Sequence, residues 1–309
     1  MITSFRVPRH SPAGRVRLTL QTLLLLGIVS GCGEDTNVVL ERLSEARQIT
    51  SGLQVQFTRA ADAANRAVMA DTDEASVTFA KEAGQATASI QKDIETLNPL
   101  LATLGYADET RLLKEFSDRF AEYQALDRRI LDLAVENTNL KAQRLAFGPA
   151  QEAANAFRDA LKAVQASESD KDRWHVEALI ARAVTTVREI QVLQAPHIAD
   201  ADEAVMTRME TEMATSEKEA RRSLDALRAV TPSASKPHLD AAAAALARFM
   251  DLNAQIIALS RRNTNVRSLA LSLDQKRTAT VSCEDSLRAL QDALAKRGYT
   301  GIRGYGSSR

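Results

Sequence analysis

Two amide side chains interrupt the apolar pattern of this chain at matching places. Asn137 and Asn263 each stand where a leucine would be expected, in segments whose apolar residues recur every three or four positions. A buried amide costs about 1–3 kcal/mol unless it finds hydrogen-bond partners. Either the two asparagines bond to each other and fix the register of two packed helices, or they line a polar pocket to which Thr138 and Thr264 add hydroxyl groups.

A cation follows the first of these amides by one heptad. Arg144 lies between Leu140 and Phe147 on the same predicted helix face as Asn137. A cation facing a core needs an acidic partner or an anionic ligand, and the guanidinium fork suits a carboxylate. Alternatively, its side chain reaches along the helix to solvent. The sequence therefore predicts a ligand site made of Asn137, Thr138, Arg144, Asn263 and Thr264.

The other polar patterns favour neither catalysis nor metal binding. The acids of 71–74 and 200–203 suggest calcium, but acids at helix starts ordinarily accept hydrogen bonds from free backbone N–H groups. His175, His197 and His238 lack the i, i+4 partner that is typical of zinc sites. The sequence holds no phosphate loop, nucleophile elbow or paired-carboxylate motif. We therefore expect no enzyme, no metal and no cofactor.

Residues 1–31 have the pattern of an export signal. A basic segment precedes an apolar run from Leu18 to Gly31 that is too short and interrupted for a spanning helix. The run ends in Val29-Ser30-Gly31-Cys32, which resembles the lipobox of bacterial lipoproteins. The resemblance implies cleavage before Cys32 and a lipid on its sulfur; the alternative is an ordinary signal peptide with an incidental cysteine. Gly33 stands where an aspartate would favour inner-membrane retention, so we expect a periplasm-facing protein on the outer membrane.

Composition favours helices and argues against a nucleic-acid partner. Aromatic residues are 4 % of the chain, so a core must be built from alanine and aliphatic residues, which suits helix–helix packing. The whole chain is formally neutral; without the four arginines of 1–31 it carries 36 basic and 40 acidic residues, so it has no basic excess for nucleic acid. Cys283, the only other cysteine, lies on an apolar stripe and is predicted to be a buried small residue.

The chain also repeats itself. Residues 133–142 resemble 259–268 at a shift of 263 − 137 = 126, and residues 70–75 resemble 199–204 at a shift of 203 − 74 = 129. We infer two helical units, 37–167 and 168–297, after a linker at 32–36 and before a flexible tail at 298–309. Prolines, glycines and polar stretches divide them into six helices: 34–70, 73–98, 108–166, 170–195, 202–229 and 236–297.

The two helices of about sixty residues decide the architecture. Their apolar spacing continues through the Asn-Thr-Asn motifs, which contain no glycine or proline. This predicts uninterrupted helices, each about 90 Å long. An all-α, elongated antiparallel assembly of two stacked four-helix bundles sharing both long helices follows. Gly148-Pro149 either kinks the first long helix or is a true turn, and a turn would leave two tandem four-helix bundles instead.

This architecture and the repeated motif, over residues 36–297, resemble the ligand-binding regions of bacterial chemoreceptors, in particular helical bimodular sensor domains. The resemblance implies binding of a small, anionic metabolite. Chemoreceptors lie between two membrane helices, whereas here a lipid replaces the first and no second is found, so a separate protein transducer is implied. The competing hypothesis is a structural or protein-interaction lipoprotein of the envelope without a small ligand, and a homodimer is an open alternative.

Overall fold

The computed structural model describes residues 32–166 and 173–303. The predicted export signal at 1–31, residues 167–172 and the last part of the predicted tail, 304–309, lie outside these ranges. The described ranges contain helices and short turns and no strand. The α-helices are α1 Cys32–Met69, α2 Asp73–Thr103, α3 Ala107–Glu136, α4 Thr138–Leu145, α5 Gln151–Ala166, α6 Arg173–Ala199, α7 Glu203–Val230, α8 Lys236–Arg262, α9 Thr264–Leu271 and α10 Arg277–Arg303.

The helices pack as two four-helix bundles that share two long segments, α3 to α5 and α8 to α10. The first bundle consists of α1, α2, α3 and α10, and its core holds the aromatic cluster of Phe57, Phe116, Phe120 and Tyr123. The second consists of α5, α6, α7 and α8, and its core is mainly alanine and aliphatic residues. Because α3 packs on α10 and α5 packs on α8, each long segment contributes one half to each bundle. The all-α fold and the shared-helix arrangement are confirmed, and tandem bundles are excluded.

Burial repeats along the two long segments with the period found in the sequence. Leu113 and Leu239, like Val164 and Leu290, are buried pairs separated by 239 − 113 = 290 − 164 = 126 residues. In α1, α2, α6 and α7, the buried positions of the first unit recur in the second at a shift of 130 residues, and not 129. The helix-capping residues Thr72 and Asp202 show the same shift, 202 − 72 = 130. The similar hexapeptides at 70–75 and 199–204 are therefore one residue out of structural register.

The prediction of uninterrupted long helices is wrong at one residue in each. Asn137 and Asn263 adopt left-handed conformations, with φ of 50° and 52°, and α4 and α9 begin directly after them. Asparagine tolerates this conformation better than most residues because its short side chain bonds locally. The helical phase was preserved because a single residue is inserted without a loop.

Gly148-Pro149 is not a turn between helices. It lies in a wide helical turn, Ala146–Ala150, whose counterpart Ser272–Lys276 occurs 126 residues later without proline or glycine. The widening therefore belongs to both units and does not depend on Pro149. Such single-turn π-helical segments add a residue to a helix and often occur at functional sites.

Two other prolines do not end their helices as predicted. Pro99 and Pro196 lie inside α2 and α6, which continue to Thr103 and Ala199. The turn after α2 is made instead by Gly105, whose φ of 67° suits a residue without a side chain. The helix predicted to end at 297 continues as α10 to Arg303, so the first part of the predicted tail is helical.

Of the described residues, the segment Ser233–Arg297 has one stretch with the length and composition of a membrane-crossing helix, at a mean hydropathy of 1.3. In the fold, the buried face of α8 within this segment, including Leu246, Phe249 and Ile256, packs in the second bundle.

Candidate functional site

The two Asn-Thr-Asn motifs meet where the bundles join, and we name residues 137–139 and 263–265 the waist. Thr138 N–H donates to Thr264 Oγ1 and Thr264 N–H donates to Thr138 Oγ1, each over 3.1 Å. Asn139 N–H and Asn265 N–H bond the side-chain oxygens of each other's residue, also over 3.1 Å. These are the first N–H groups of α4 and α9, which lack partners within their own helices. Each helix start is thus capped by the other.

The waist amides are bonded almost symmetrically. Asn139 Nδ2 donates to Asn263 Oδ1 over 2.8 Å, and Asn265 Nδ2 donates to Asn137 Oδ1 over 2.9 Å. Asn263 Nδ2 also donates to the carbonyl oxygen of Asp200, whereas the equivalent Asn137 Nδ2 is buried without a hydrogen-bond partner. The structure therefore brings together four of the five predicted ligand residues. Thr138 and Thr264 bond each other, but the prediction that Asn137 and Asn263 do so is wrong, because Asn265 and Asn139 are their partners.

The fifth predicted residue, Arg144, lies apart from the waist network. Its side chain is 51 % exposed and its Nη1 pairs with Asp73 Oδ2 over 3.1 Å. Phe147, predicted on the same core-facing stripe, is 71 % exposed. The buried stripe of α4 instead passes through Thr138, Ala142 and Ala146, which continue the buried positions Ile130 and Ala134 of α3 at steps of four residues. Arg144 thus reaches solvent, as its alternative interpretation predicted, and whether it binds a ligand stays a prediction.

A buried charge pair that the sequence analysis missed lies in the first bundle. Lys276 Nζ and Asp127 Oδ1 are 2.7 Å apart, and their side chains are 2 % and 6 % exposed. The two atoms are paired by charge but are not aligned as a hydrogen bond, and the hydroxyl of the neighbouring Tyr123 is also buried without a partner. We name Asp127 and Lys276 the core ion pair.

Burial dominates the electrostatics of this pair. It raises the pKa of the Asp127 carboxyl, while the charge of Lys276 opposes the rise. Burial likewise raises the pKa of the Tyr123 hydroxyl, which therefore stays protonated. The carboxylate and ammonium thus depend on each other, since an isolated buried charge is strongly unfavourable.

Open volume adjoins each end of the core ion pair. A cavity of about 350 Å³ between α2 and α3 is lined by Asp127 together with Ala80, Gly84, Thr87 and Gln124. A groove of about 400 Å³ between α1 and the α9–α10 segment is lined by Lys276 together with Asn65, Val68, Ser272 and Arg277. We name them the Asp127 cavity and the Lys276 groove. The described lining of the Lys276 groove contains two cations and no carboxylate.

The equivalent position in the second bundle is neutral and filled. Asn253 and Ala150 correspond to Asp127 and Lys276, since 253 − 127 = 276 − 150 = 126. Asn253 accepts a hydrogen bond from Gln194 Nε2 over 2.9 Å and lies 3.7 Å from Met213 Sδ. Ala64 and Ala83 stand in the first bundle where Gln194 and Met213 stand in the second, 194 − 64 = 213 − 83 = 130 residues later. The charge pair is therefore specific to the first bundle.

The second bundle has an ionic network at the residues equivalent to the lining of the Asp127 cavity. Glu210 accepts from Arg261 Nε over 2.6 Å and from the fully buried His197 over 2.8 Å, and His197 Nδ1 bonds Ser260 Oγ over 2.9 Å. The Arg261 hydrogen bond lowers the pKa of Glu210. In the first bundle the equivalent residues are Ala80 and Val135, since 210 − 80 = 130 and 261 − 135 = 126. Both line the Asp127 cavity, where this network is therefore missing.

The structure also describes the predicted buried cysteine, the acidic segments and the potential metal ligands. Cys283 is fully buried, as predicted, and burial raises the pKa of its thiol to about 12. Asp202 caps α7 and Thr72 caps α2, so the acids of 71–74 and 200–203 lie at helix starts. Within residues 32–166 and 173–303, no cluster of three or more potential metal ligands is found.

A signal for the core ion pair was present in the sequence. Asp127 is the fourth residue after the buried Tyr123 and the third before the buried Ile130, so its spacing fits a buried helix face, but apolar spacing alone does not select a charged residue. The comparisons with known proteins add no assignment: no family model matches the chain, and no curated protein matches it significantly.

Proposed function

We propose that this protein is a lipid-anchored, periplasm-facing binding protein of the sensor type, which takes up a small metabolite through an anionic group at Lys276. The observation that carries the proposal is the core ion pair, buried between two open volumes in one bundle while its counterpart in the other is neutral and filled. Volumes of this size suit small metabolites.

The absence of acids from the described lining of the Lys276 groove supports an anionic group on the ligand. Lys276 and Arg277 supply positive charge, Asn65 and Ser272 supply hydrogen-bond groups, and Val68 supplies an apolar wall. Charge-assisted hydrogen bonds to an ammonium are the stronger kind. This moves the proposed site from the waist into the first bundle, and the waist keeps the two bundles in register.

The proposed anchor is a lipid on Cys32, the first residue of α1. Near its start α1 lies beside the end of α10, where Arg47 donates to the carbonyl oxygen of Leu294 over 2.9 Å. The anchored end thus belongs to the first bundle, and the second bundle is the far one. Labelling with radioactive palmitate tests the anchor: label should enter the parent protein and be absent from Cys32→Ser.

Ligand-induced stabilisation tests the binding function. The full chain carrying Cys32→Ser is heated with a panel of organic acids, amino acids and polyamines; a ligand stabilises the native state by RT ln(1 + [L]/Kd). We expect one ligand class to raise the Tm, and the rise to be lost in the double variant Asp127→Leu/Lys276→Met. Arg144→Ala is the matched control and should retain the rise.

Each other outcome points elsewhere. A rise lost in Arg144→Ala but kept in the double variant would place the site at Arg144, in the last turn of α4. A flat panel would contradict the binding function and favour the structural or protein-interaction lipoprotein, to be followed by capture of its protein partner.

A further inference from the structure

We propose that the ligand is a small zwitterion that inserts between Asp127 and Lys276, with its cationic group on the carboxylate and its anionic group on the ammonium. This rests on the proposed function and narrows the ligand class from anions in general. The first argument is access. Asp127 lines the cavity between α2 and α3, and Lys276 lines the groove on the α1 and α10 side, so the pair separates two open volumes.

The second argument is charge balance. Both side chains of the core ion pair are nearly inaccessible, and the described contacts give each of them only the other as a charged partner. A simple anion that drew Lys276 towards the groove would leave the Asp127 carboxylate buried and unpaired, which is strongly unfavourable. A simple cation on Asp127 would do the same to Lys276. A zwitterion replaces the direct contact and keeps both charges paired.

The third argument is unused hydrogen-bonding capacity. The Tyr123 hydroxyl is buried without a partner, and Asp127 Oδ1 and Lys276 Nζ have only each other, over 2.7 Å. A buried ammonium and a buried carboxylate can each form more than one hydrogen bond, and buried polar groups normally use this capacity. A ligand with an ammonium and a carboxylate supplies donors to Asp127 and acceptors to both Lys276 and the Tyr123 hydroxyl.

The second bundle is an internal reference for this assignment. Phe249, Asn253 and Ala150 replace Tyr123, Asp127 and Lys276 at a shift of 126, and Asn253 is bonded to Gln194. The same backbone framework thus packs without a charge pair. Asparagine differs from aspartate by an NH₂ group in place of one oxygen, so Asp127→Asn removes the charge with almost no change of shape.

Calorimetric titration with matched probes tests the proposal. The full chain carrying Cys32→Ser is titrated with two sets of equal carbon skeleton: alanine, propanoate and isopropylamine; and 4-aminobutanoate, butanoate and butylamine. In at least one set we expect the zwitterion to bind tenfold or more tightly than both its anion and its amine. Asp127→Asn should abolish the advantage over the anion, and Lys276→Gln should abolish the advantage over the amine.

The outcomes separate this inference from the function on which it rests. If propanoate or butanoate binds more tightly than its zwitterion, the zwitterion is wrong and the anion-binding function stands. If none of the six probes gives heat, both are contradicted for ligands of this size. If a zwitterion binds but both variants keep the full preference, the site is elsewhere. Arg144→Ala is the control that should leave all affinities unchanged, and circular dichroism confirms the fold of each variant.

Discussion

The two bundles share a backbone plan but use polar residues differently. In the second, Gln194, Asn253, His197 and Glu210 are hydrogen bonded to one another or to neighbours, and the groove of about 600 Å³ between α6 and α7 is lined by none of them. In the first, Asp127 and Lys276 line open volume and have only each other as polar partners, and the Tyr123 hydroxyl is buried without a partner. Saturated networks stabilise a unique packing, whereas unsaturated buried groups cost free energy. The second bundle is therefore built for stability, and the first retains groups that suit a ligand.

The largest expected effect comes from separating the core ion pair. Lys276→Met leaves the Asp127 carboxylate buried alone, which should destabilise the protein by about 3–5 kcal/mol in urea unfolding at neutral pH. Burial already raises the pKa of Asp127, and loss of the ammonium removes the charge that opposes this rise. The native state then holds the proton more tightly than the unfolded state, so stability is lost as pH rises and the defect should shrink on acidification.

A double variant separates charge from packing in the same place. Asp127→Leu/Lys276→Met replaces both charges by apolar groups, and such replacements are often neutral or stabilising, by about 1–4 kcal/mol. If the double variant is as unstable as Lys276→Met alone, the loss of stability comes from packing. The buried charges would then not explain how the first bundle differs from the second.

A second charge pair closes the outer end of the first bundle. Arg297 donates to both oxygens of the buried Glu109, over 2.7 and 2.8 Å, where the second bundle has the neutral Ser235 at 109 + 126 = 235. Glu109→Gln should cost about 1.5–3 kcal/mol at neutral pH, since it weakens a charge-assisted pair.

Glu109 and Asp127 have pKa shifts of opposite sign, so here the parent loses stability on acidification, whereas Lys276→Met gains it. The Arg297 hydrogen bonds lower the pKa of Glu109, so its contribution is present above the ordinary glutamate pKa and is lost as pH falls through the lowered one. Urea unfolding across the acid range should show the parent and the variant converging. Curves that stay parallel would contradict the ion-pair explanation.

At the waist, a smaller difference in stability is expected between equivalent substitutions in the two long segments. Glycine accepts the left-handed conformation at both positions, so Asn137→Gly and Asn263→Gly differ in the bonds that they lose. Asn263 loses two side-chain hydrogen bonds and Asn137 loses one. We expect Asn263→Gly to be less stable than Asn137→Gly by about 1 kcal/mol in thermal unfolding. Equal stabilities would show that the bond to the Asp200 carbonyl contributes nothing.

The smallest effect is expected at Arg144. Its pair with Asp73 is half exposed, and such pairs contribute about 0–1 kcal/mol. The second unit has Ala270 at the equivalent position, 144 + 126 = 270. Arg144→Ala should therefore leave urea unfolding almost unchanged, and a loss above 1 kcal/mol would reveal a role that the exposed pair does not explain.

Local patterns predicted most of the fold and less of the candidate site. Apolar spacing and the repeat at 126 predict the main helices, the burial of Cys283 and the sharing of the two long segments by both bundles. The left-handed Asn137 was not predicted, because a single inserted residue kept the apolar phase nearly intact. Arg144 was assigned to the core because its neighbours Leu140 and Phe147 are apolar, although Phe147 is exposed.

By itself, the sequence determined that this is an all-helical chain of two similar units, because helical periodicity and repetition are properties of neighbouring residues. Only the tertiary structure decided which polar residues meet. Asp127 and Lys276 are 276 − 127 = 149 residues apart, and their pairing depends on α3 lying beside α10 rather than on either local pattern. The value of a buried charge is set by its partner, and a partner that distant is chosen by the packing of helices.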